Sequence, residues 1–502
     1  MATFERPALP HSELAGQVRA HLPAGTPAWL VGGALRDALL RRPVRDFDFV
    51  VAGDALAGAR AVANALGGAY YPLDVERGVG RVVLDSAEGR VTLDLARLRG
   101  PDLLADLTAR DFTLNAIAVD LAQPDVLIDP LLGERDLRAR LIRACSPSAI
   151  ADDPLRAMRA VRLAAELRFR IDKLTLAEIR AQAGRLADVS AERRRDELMH
   201  CLAGARPAAA VRSLDLLGLM PALLPELSAL HGVTQSPPHV DDVWEHTLSV
   251  LQRLSEILAV LNPVYNSDAA SDLTLGLVSL RLGRHRQALA EHLAAAAGPE
   301  QAGQPRAPLL LACLLHDIGK PATRAIEPGG RIRFFDHDQV GADLARARLT
   351  ALRFSSDEVQ RLSAIVAHHL RPLNLSGEPQ VTRRAVYRFF HQTGAAGIDV
   401  VLLALADFLG TYGDSPPPVD DWNRLLDVCS ALLRAYFETP EQAVRPPTIL
   451  SGDDLMADFG LRPGPGLGRL LAELREAQAA GEVTDRETAR EWVRGYLNQH
   501  LE

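Results

Sequence analysis

The segment WLVGGALRD, Trp29–Asp37, is followed after a short gap by RDFDFVV, Arg45–Val51. The apolar run before Gly32 predicts a β-strand, and the paired glycines predict a tight turn into a helix. In RDFDFVV, acids alternate with aromatics, so a strand places Asp46 and Asp48 on one face. Two carboxylates that close repel each other unless a hard divalent cation lies between them. The two segments together predict a phosphate-binding and magnesium-binding site on a small sheet.

The pattern around this stretch changes along the chain. Short apolar runs separated by glycine or charged turns continue to about Pro130, with one helix over Asp54–Leu66. From about Asp136 onward, Leu, Ala and Arg recur at helical spacing. We therefore expect a multidomain protein with an N-terminal α/β (α+β) head, built on a small mixed sheet, and an all-α remainder. The expected parts are a head over 1–143, a helical neck over 144–235, a second helical domain over 236–412 and a helical tail over 413–502.

Composition restricts the class of protein. The chain has 502 residues and a formal net charge of −8, so an RNA partner would have to meet a local basic surface rather than a positive whole-molecule field. The four cysteines are widely spaced, which argues against a disulfide framework or a cysteine zinc site. We see no apolar run of about 20 residues, the length of a membrane helix, and expect no membrane partner. The expected location is the cytoplasm.

Three further motifs narrow the interpretation. They are RDFTLNAIA at Arg110–Ala118, IDPLLGERDL at Ile128–Leu137 and DDPLRAMRAVRLAAEL at Asp152–Leu167. With the double glycine and the paired acids, this ordered set resembles the nucleotidyltransferase head of the DNA polymerase β superfamily. More narrowly, it resembles the bacterial class II tRNA nucleotidyltransferases and the related bacterial poly(A) polymerases. The resemblance covers roughly residues 25–230 and implies that the neck over 144–235 reads the base and binds RNA.

The resemblance implies an enzyme that transfers a nucleotide from CTP to the 3′ end of tRNA. It implies Mg²⁺ on Asp46 and Asp48 and a third catalytic carboxylate at Asp94, which is equally explained as a plain strand-end aspartate. The implied partners are the 3′ end and acceptor arm of tRNA and CTP, with ATP left open. The implied nucleotide-binding residues are Gly32, Gly33, Arg36, Arg110, Asp111, Asn115, Asp153, Arg156, Arg159 and Arg162.

Within that set, the resemblance gives distinct roles to two pairs. Arg110 and Asp111 would contact the ribose and triphosphate, although Ala109 stands where the family often has another arginine. Asp153 and Arg156 would read the base, since a carboxylate accepts from the amine of cytosine and an arginine donates to its ring nitrogen and carbonyl oxygen.

The length of one connection bears on the product. Leu95–Thr113 is short compared with the flexible loop that full CCA-adding relatives carry there. Such shortening resembles enzymes that add only CC, so CC addition is the favoured product. Complete CCA addition, A addition and poly(A) synthesis stay open.

A second set of residues indicates another metal site. LLACLLHDIGK at Leu310–Lys320 ends with His316 and Asp317. With His246 and Asp407, these two resemble the HD phosphohydrolase superfamily, in which imidazoles and carboxylates hold a divalent metal such as Mg, Mn, Ni or Fe. The positions of His337, and of His368 or its neighbour His369, also match extra ligands of that superfamily, or they are simple surface and helix-end imidazoles.

The second site leaves two competing functions to consider. In one, the HD domain acts as an RNA phosphatase or 2′,3′-cyclic phosphodiesterase, as a main or an additional activity. In the other, the chain is a non-catalytic RNA-binding scaffold, which the clustered metal-type carboxylates disfavour. The intact set of head motifs favours the transferase as the main activity.

Overall fold

The computed structural model describes residues 12–86, 89–264, 272–297 and 303–500. The chain divides into two compact units, Met1–Val189 with Leu217–Leu219, and Ser190–Leu216 with Met220–Glu502. The first eleven residues of the predicted head lie outside the described residues.

The first unit combines one main sheet with short helices. Its strands are β1 Ala28–Val31, β2 Asp46–Val51, β3 Ala69–Asp74, β4 Val79–Ser86, β5 Gly89–Arg97, β6 Ala118–Asp120, β7 Leu127–Ile128, β8 Leu141–Ile142 and β9 Arg170–Ile171. Its α-helices are α1 Ser12–Ala20, α2 Gly33–Leu39, α3 Ala55–Leu66, α4 Leu103–Thr108, α5 Gly133–Arg138, α6 Ala149–Asp152, α7 Leu155–Leu167 and α8 Lys173–Gln182. Single 3₁₀ turns cover Thr113–Asn115 and Ala183–Asp188.

Seven strands form the main sheet, in the order β3-β4-β5-β2-β1-β6-β7. β2 and β5 run parallel, and the other neighbouring pairs are antiparallel. Phe47 and Phe49 are buried, whereas Asp46 and Asp48 on the opposite face are exposed, as the alternation in the sequence requires. The sheet is therefore mixed, as expected, and the face carrying the acids is open.

Local sequence explains the helix that covers part of this sheet. The Asp54 side chain accepts a hydrogen bond from the Ala57 N–H and so caps the start of α3. Gly67 ends the helix in the left-handed region, with φ 69°. The helix predicted over Asp54–Leu66 is confirmed, but β3 was not predicted, because its Tyr-Tyr-Pro sequence at an exposed sheet edge lacks an alternating apolar pattern.

The second unit is helical apart from one hairpin, β10 Arg324–Ile326 with β11 Ile332–Phe334. Single 3₁₀ turns cover Met220–Ala222, Gly283–His285 and Gly394–Ala396. Its α-helices are α9 Ala191–Ala203, α10 Pro207–Leu216, α11 Pro225–Ser228, α12 Val243–Val260, α13 Leu273–Leu282, α14 Arg286–Ala297, α15 Ala307–Leu315, α16 Lys320–Thr323, α17 His337–Ala351, α18 Ser356–His368, α19 Arg371–Ser376, α20 Arg383–Thr393, α21 Gly397–Thr411, α22 Val419–Phe437, α23 Pro440–Ala443, α24 Gly452–Phe459, α25 Pro465–Ala480 and α26 Arg486–His500.

The core of the second unit is built around two apolar helices. Every residue of α15 is buried, and α21 is buried along almost its whole length. The segment Arg383–Thr411, which consists of α20, a 3₁₀ turn and α21, is long and apolar enough to cross a membrane, contrary to the expectation from the sequence. However, 89% of its most apolar 18-residue stretch is buried inside the protein, as in the core helix of a globular domain.

Replacing the buried aromatic of the acid-bearing strand tests this packing. Phe49→Ala removes a fully buried ring and should lower the local free energy of unfolding by about 3–5 kcal/mol. Amide hydrogen exchange of β2 would report the loss, with Tyr71→Ala on the exposed edge of the same sheet as the control. Equal effects of the two replacements would contradict the assigned core.

Candidate active site and metal centre

Strand pairing brings the predicted carboxylates together. In the parallel register of β2 and β5, Asp48 lies directly beside Asp94, and Asp46 lies beside Thr92. Because side chains directly opposite each other share a face of the sheet, all three acids project to the same side. The structure thus produces a cluster of oxygen donors of the kind that Mg²⁺ prefers.

Asp94 is engaged by an arginine that the sequence analysis did not single out. Arg81 lies opposite Asp94 in the antiparallel β4–β5 pair. Its Nε and Nη2 donate to the two carboxylate oxygens of Asp94, both at 2.8 Å. Such a two-pronged pair with a guanidinium satisfies the carboxylate without a metal ion. In this conformation, Asp46 and Asp48 are therefore the acids left to hold a metal.

The environment of Asp48 favours its protonated form. Solvent reaches part of the Asp48 residue, but the surrounding protein atoms leave little water around its carboxylate, and this desolvation is the largest influence on its pKa. Arg110 acts in the opposite direction, whereas the negative charges of Asp94 and Asp46 add to the increase. The net result raises the pKa of Asp48 to about 6. A divalent cation would remove this penalty by neutralising the cluster.

Gly32 is required by both conformation and space. Its φ of 80° lies in the left-handed region that side chains disfavour. A Cβ at this position would lie 3.3 Å from both Arg110 Nη1 and Asp48 Oδ2. The turn before α2 therefore lies between the Arg110 guanidinium and the Asp48 carboxylate. A side chain at position 32 would fill space that a ligand needs.

A chain of hydrogen bonds holds the other predicted nucleotide-binding side chains. The Arg36 guanidinium donates from Nη1 to Asn115 Oδ1 at 2.9 Å, and it also pairs with Asp37. Asn115 Nδ2 donates to Asp111 Oδ1 at 3.1 Å. Arg159 Nη1 lies 3.8 Å from the other oxygen of Asp111. The residues of the RDFT motif and of α2 and α7 therefore form one polar network.

The predicted base-reading residues lie at the start of α7. Arg156 donates to three main-chain carbonyl oxygens, those of Ala109, Arg110 and Ala149, at 2.8, 3.2 and 3.2 Å. The Asp153 carboxylate accepts from the Leu155 N–H at 3.3 Å. Arg156 in this structure therefore fastens α7 to the turn that carries Arg110.

Arg162 contacts a glutamate on its own helix. Its Nη1 lies 3.6 Å from Glu166, and Arg42 donates to that glutamate at 2.7 Å. Arg42 in turn lies 3.6 Å from Asp37, the partner of Arg36, so this ion-pair cluster borders the network around Asp111.

The connection after β5 is compact. Only five residues, Leu98–Asp102, separate β5 from α4. The Asp102 side chain caps α4 by accepting from the Ala105 N–H at 2.8 Å. In the part of the chain that the structure describes, no long excursion occurs between the Asp94 strand and the RDFT motif.

In the second unit, five helices bring a second cluster together. His246 comes from α12, His316 and Asp317 follow α15, His337 begins α17, and Asp407 lies in α21. The helix end after α18 adds His369. Asp317 is central: its oxygens lie 3.2 Å from His316 Nε2, 3.4 Å from His337 Nε2, 3.5 Å from His246 Nε2 and 3.9 Å from His369 Nε2. His246 Nε2 also lies 3.0 Å from Asp407 Oδ1.

The hydrogen bonds of these imidazoles suit a metal. The Nδ1 atoms of His316, His337 and His369 lie 2.7–2.8 Å from main-chain carbonyl oxygens, so each ring donates there from Nδ1. Each buried Nε2 is left without a hydrogen-bond partner. A buried polar atom without a partner is costly, and a metal ion would satisfy all three lone pairs. The donor set therefore fits a divalent cation.

The donors fall into two adjacent groups that share Asp317. One contains His246 and His316, and the other contains His337 and His369, with the ligand atoms of each group within 4.8 Å of one another. Of the two adjacent histidines left open by the sequence, His369 joins the cluster and His368 does not. Neighbouring positions on a helix point about 100° apart, so only one of the two can face it.

Electrostatics confirm that the cluster attracts positive charge. Burial opposes a charge on His316, but Asp317 and Asp407 outweigh it and raise the pKa of His316 to about 10. The pKa values of both carboxylates are held well below their usual range, since the histidines outweigh the opposing effect of burial. A proton and a divalent cation therefore compete for this site.

Two further groups border the cluster. The Lys320 ammonium lies 2.6 Å from Asp317 Oδ2 and donates to Gln235 Oε1 at 2.7 Å. The His239 ring lies edge-on to His246 at 5.1 Å, and desolvation, followed by Lys320 and His246, lowers its pKa to about 4. Lys320 is thus tied to a candidate ligand, whereas His239, which the sequence analysis missed, is a neutral imidazole beside the cluster at neutral pH.

Three parts of the chain match known families. Residues 28–143 match the family described as Poly A polymerase head domain. Residues 168–230 match the one described as Probable RNA and SrmB-binding site of polymerase A, and residues 279–409 match the HD domain.

Similar proteins extend over nearly the whole chain. The A-adding tRNA nucleotidyltransferase of Deinococcus radiodurans is 37% identical, covering 94% of this chain and 96% of that enzyme. The CC-adding tRNA nucleotidyltransferase of Thermus thermophilus is 34% identical, covering 93% of each chain. A solved structure of the Thermotoga maritima CCA-adding enzyme complexed with tRNA has a TM-score of 0.54 and 20% identity, covering 97% of this chain and 94% of that one, and shares the fold.

The head match covers the paired acids and the RDFT motif, and the HD match covers five of the six clustered histidines and aspartates, all except His246. The likeness to the two named enzymes is long and close enough to establish the family. The protein belongs to the class II tRNA nucleotidyltransferases that carry an HD domain.

Proposed function

We propose that this tRNA nucleotidyltransferase adds two cytidines to the 3′ end of tRNA, using CTP and Mg²⁺. The observation that carries the proposal is the cluster of Asp46, Asp48 and Asp94 beside the Gly32 turn, together with the compact connection before the RDFT motif. The tRNA 3′-hydroxyl would lose its proton to solvent as its oxygen forms a bond to the α-phosphorus of CTP. The bond from that phosphorus to the bridging oxygen would break, releasing pyrophosphate.

The residues of the head divide this task. Asp46 and Asp48 would hold Mg²⁺, which when bound supplies charge neutralisation at the phosphates. Arg110 presents Nη1 beside Gly32, where it would bind a phosphate or the ribose. Arg81 keeps the Asp94 carboxylate fixed between the strands. Arg156 would read cytosine with the N–H donors of its guanidinium beyond the three that meet main-chain carbonyl oxygens.

Removing the charge of one metal-type acid gives the first test of this proposal. Asp48→Asn should lower cytidine incorporation by roughly 10²–10³-fold or more, because it removes a stabiliser of the reacting phosphate.

Without added metal, the same Asp48→Asn variant should unfold at a higher temperature than the unmodified protein at pH 7.5. Folding raises the pKa of Asp48 from 3.8 to about 6, so ionising this acid destabilises the folded state. The loss of folding free energy grows between these two pH values and is complete above the higher one.

At pH 3.5, both proteins carry an uncharged side chain at position 48, so the difference in melting temperature should vanish. Binding of tRNA, measured by gel shift, should persist in the variant and show that the fold is intact. Unchanged incorporation would remove Asp48 from the mechanism.

The product can be read directly from tRNA that lacks its terminal CCA. With CTP alone, the protein should add two residues, and ATP should add no third, as resolved on a sequencing gel. The 37% identity to the A-adding enzyme of Deinococcus radiodurans supports the competing product. Addition of a single adenosine to tRNA ending in CC would contradict CC addition and establish A addition.

A second activity is favoured by the buried Nε2 atoms of His316, His337 and His369, which lack hydrogen-bond partners. We infer that the HD cluster binds a divalent metal and hydrolyses a phosphate ester at an RNA terminus, such as a 2′,3′-cyclic phosphate. Lys320 supports this assignment as a buried cation beside the cluster that would attract the anionic ester.

Adjacent histidines offer a matched pair of variants. His369→Ala should weaken Mn²⁺ binding at least about 10-fold, because it removes a ligand rather than an outer partner. His368→Ala, one residue away and outside the cluster, should bind Mn²⁺ normally. Metal content after equilibrium dialysis and hydrolysis of 2′,3′-cyclic CMP are the measurements. Equal metal binding by both variants would contradict the assignment.

A further inference from the structure

A buried carboxylate lies behind the candidate nucleotide site. Asp106, on α4, is 1% exposed, yet it is flanked by charged and polar groups of the head. Its Oδ2 accepts from both Nε and Nη2 of Arg110, each at 3.1 Å. Its Oδ1 accepts from the Arg99 N–H at 3.1 Å. Both oxygens are therefore used within the protein, and Asp106 itself has no access to a ligand.

The three nitrogens of the Arg110 guanidinium are divided between Asp106 and the turn at Gly32. Nε and Nη2 point to Asp106, whereas Nη1 lies against Gly32, 3.3 Å from where a Cβ would stand. Because the guanidinium is planar, fixing two of its nitrogens fixes the direction of the third. Asp106 thereby determines which way Arg110 points.

Arg110 also has a competing partner. Asp48 Oδ2 lies 3.3 Å from the same point beside Gly32, and the charge of Arg110 already acts on Asp48. An arginine that moved fully onto Asp48 would occupy the carboxylate that a metal needs. The two charge-assisted hydrogen bonds that Asp106 accepts from Arg110 oppose that movement, and they are strong because the acid is buried.

We propose that Asp106 is a positioning residue for nucleotide transfer: it holds Arg110 in the direction that meets the nucleotide and keeps it from closing on Asp48. This rests on the proposed role of Arg110 in nucleotide binding. Asp106 acts only through Arg110 and touches neither nucleotide nor metal.

The mechanism predicts an unusual pattern among three variants, Asp106→Asn, Arg110→Gln and the double variant. Asp106→Asn keeps the side-chain shape but removes the charge, so CTP affinity should fall about 10-fold, the value of one charge-assisted hydrogen bond. Arg110→Gln should lose at least as much. The double variant should bind CTP no more weakly than Arg110→Gln, because Asp106 affects CTP binding only through Arg110.

Manganese affinity separates this role from a general structural one. In Asp106→Asn, the released Arg110 should compete for Asp48 and weaken Mn²⁺ binding by up to about five-fold, the range of an exposed ion pair. Arg110→Gln and the double variant should bind Mn²⁺ as the unmodified protein does. Electron paramagnetic resonance of free Mn²⁺ gives these affinities without turnover.

The matched control is Asp172→Asn, which weakens another aspartate–arginine pair of the same unit, with Arg143 at 3.4 Å. It should leave CTP and Mn²⁺ binding unchanged. Should Asp106→Asn fold poorly by circular dichroism, Asp106→Ser, which keeps an acceptor for the Arg99 N–H, serves the same comparison.

Two outcomes would overturn the inference in different ways. Losses in CTP affinity that add in the double variant would show that Asp106 acts independently of Arg110, with the role of Arg110 left intact. Normal CTP binding by Arg110→Gln would remove Arg110 from the nucleotide site, and the role of Asp106 with it.

Discussion

Negative charge concentrated on two neighbouring strands is the constraint on which the head depends. The parallel register of β2 and β5 sets Asp48 beside Asp94, with Asp46 two residues along on the same face. Like charges that close destabilise the fold, and the protein offsets them from two sides. Arg81 pairs with Asp94 from β4, and Arg110 approaches Asp48 across Gly32. The remaining imbalance is what gives the site its affinity for a cation.

Much of the head could be predicted because its signals are local. The alternation in RDFDFVV determines which side chains share a face, and the structure follows it. Local sequence does not determine which strand pairs with β2. β2 pairs with β5 across an intervening helix and two strands, so the neighbour of Asp48 and the arginine opposite Asp94 follow from the pairing order of the sheet. Asp106 is an exception, because its spacing of four residues from Arg110 could have indicated the pair.

The HD cluster shows a similar division. The types of residue in His246, His316, Asp317 and Asp407 were enough to identify candidate ligands, because imidazole and carboxylate are the donors that divalent metals use. Choosing between His368 and His369 required the rotation of α18 about its axis, which no local pattern of two adjacent histidines contains. The direction of His239 likewise depends on the loop before α12 rather than on its own sequence.

The three carbonyl contacts of Arg156 carry a further consequence. They connect the turn at Ala109 and Arg110 to the helical segment that begins at Ala149, so one side chain holds the sheet portion of the head against the helix expected to select the base. The same guanidinium would therefore both hold the backbone and contact the base. A substitution of Arg156 that altered base selection would also disturb the backbone that Arg156 holds. Nucleotide preference can therefore change more easily through residues whose side chains do not hold the backbone.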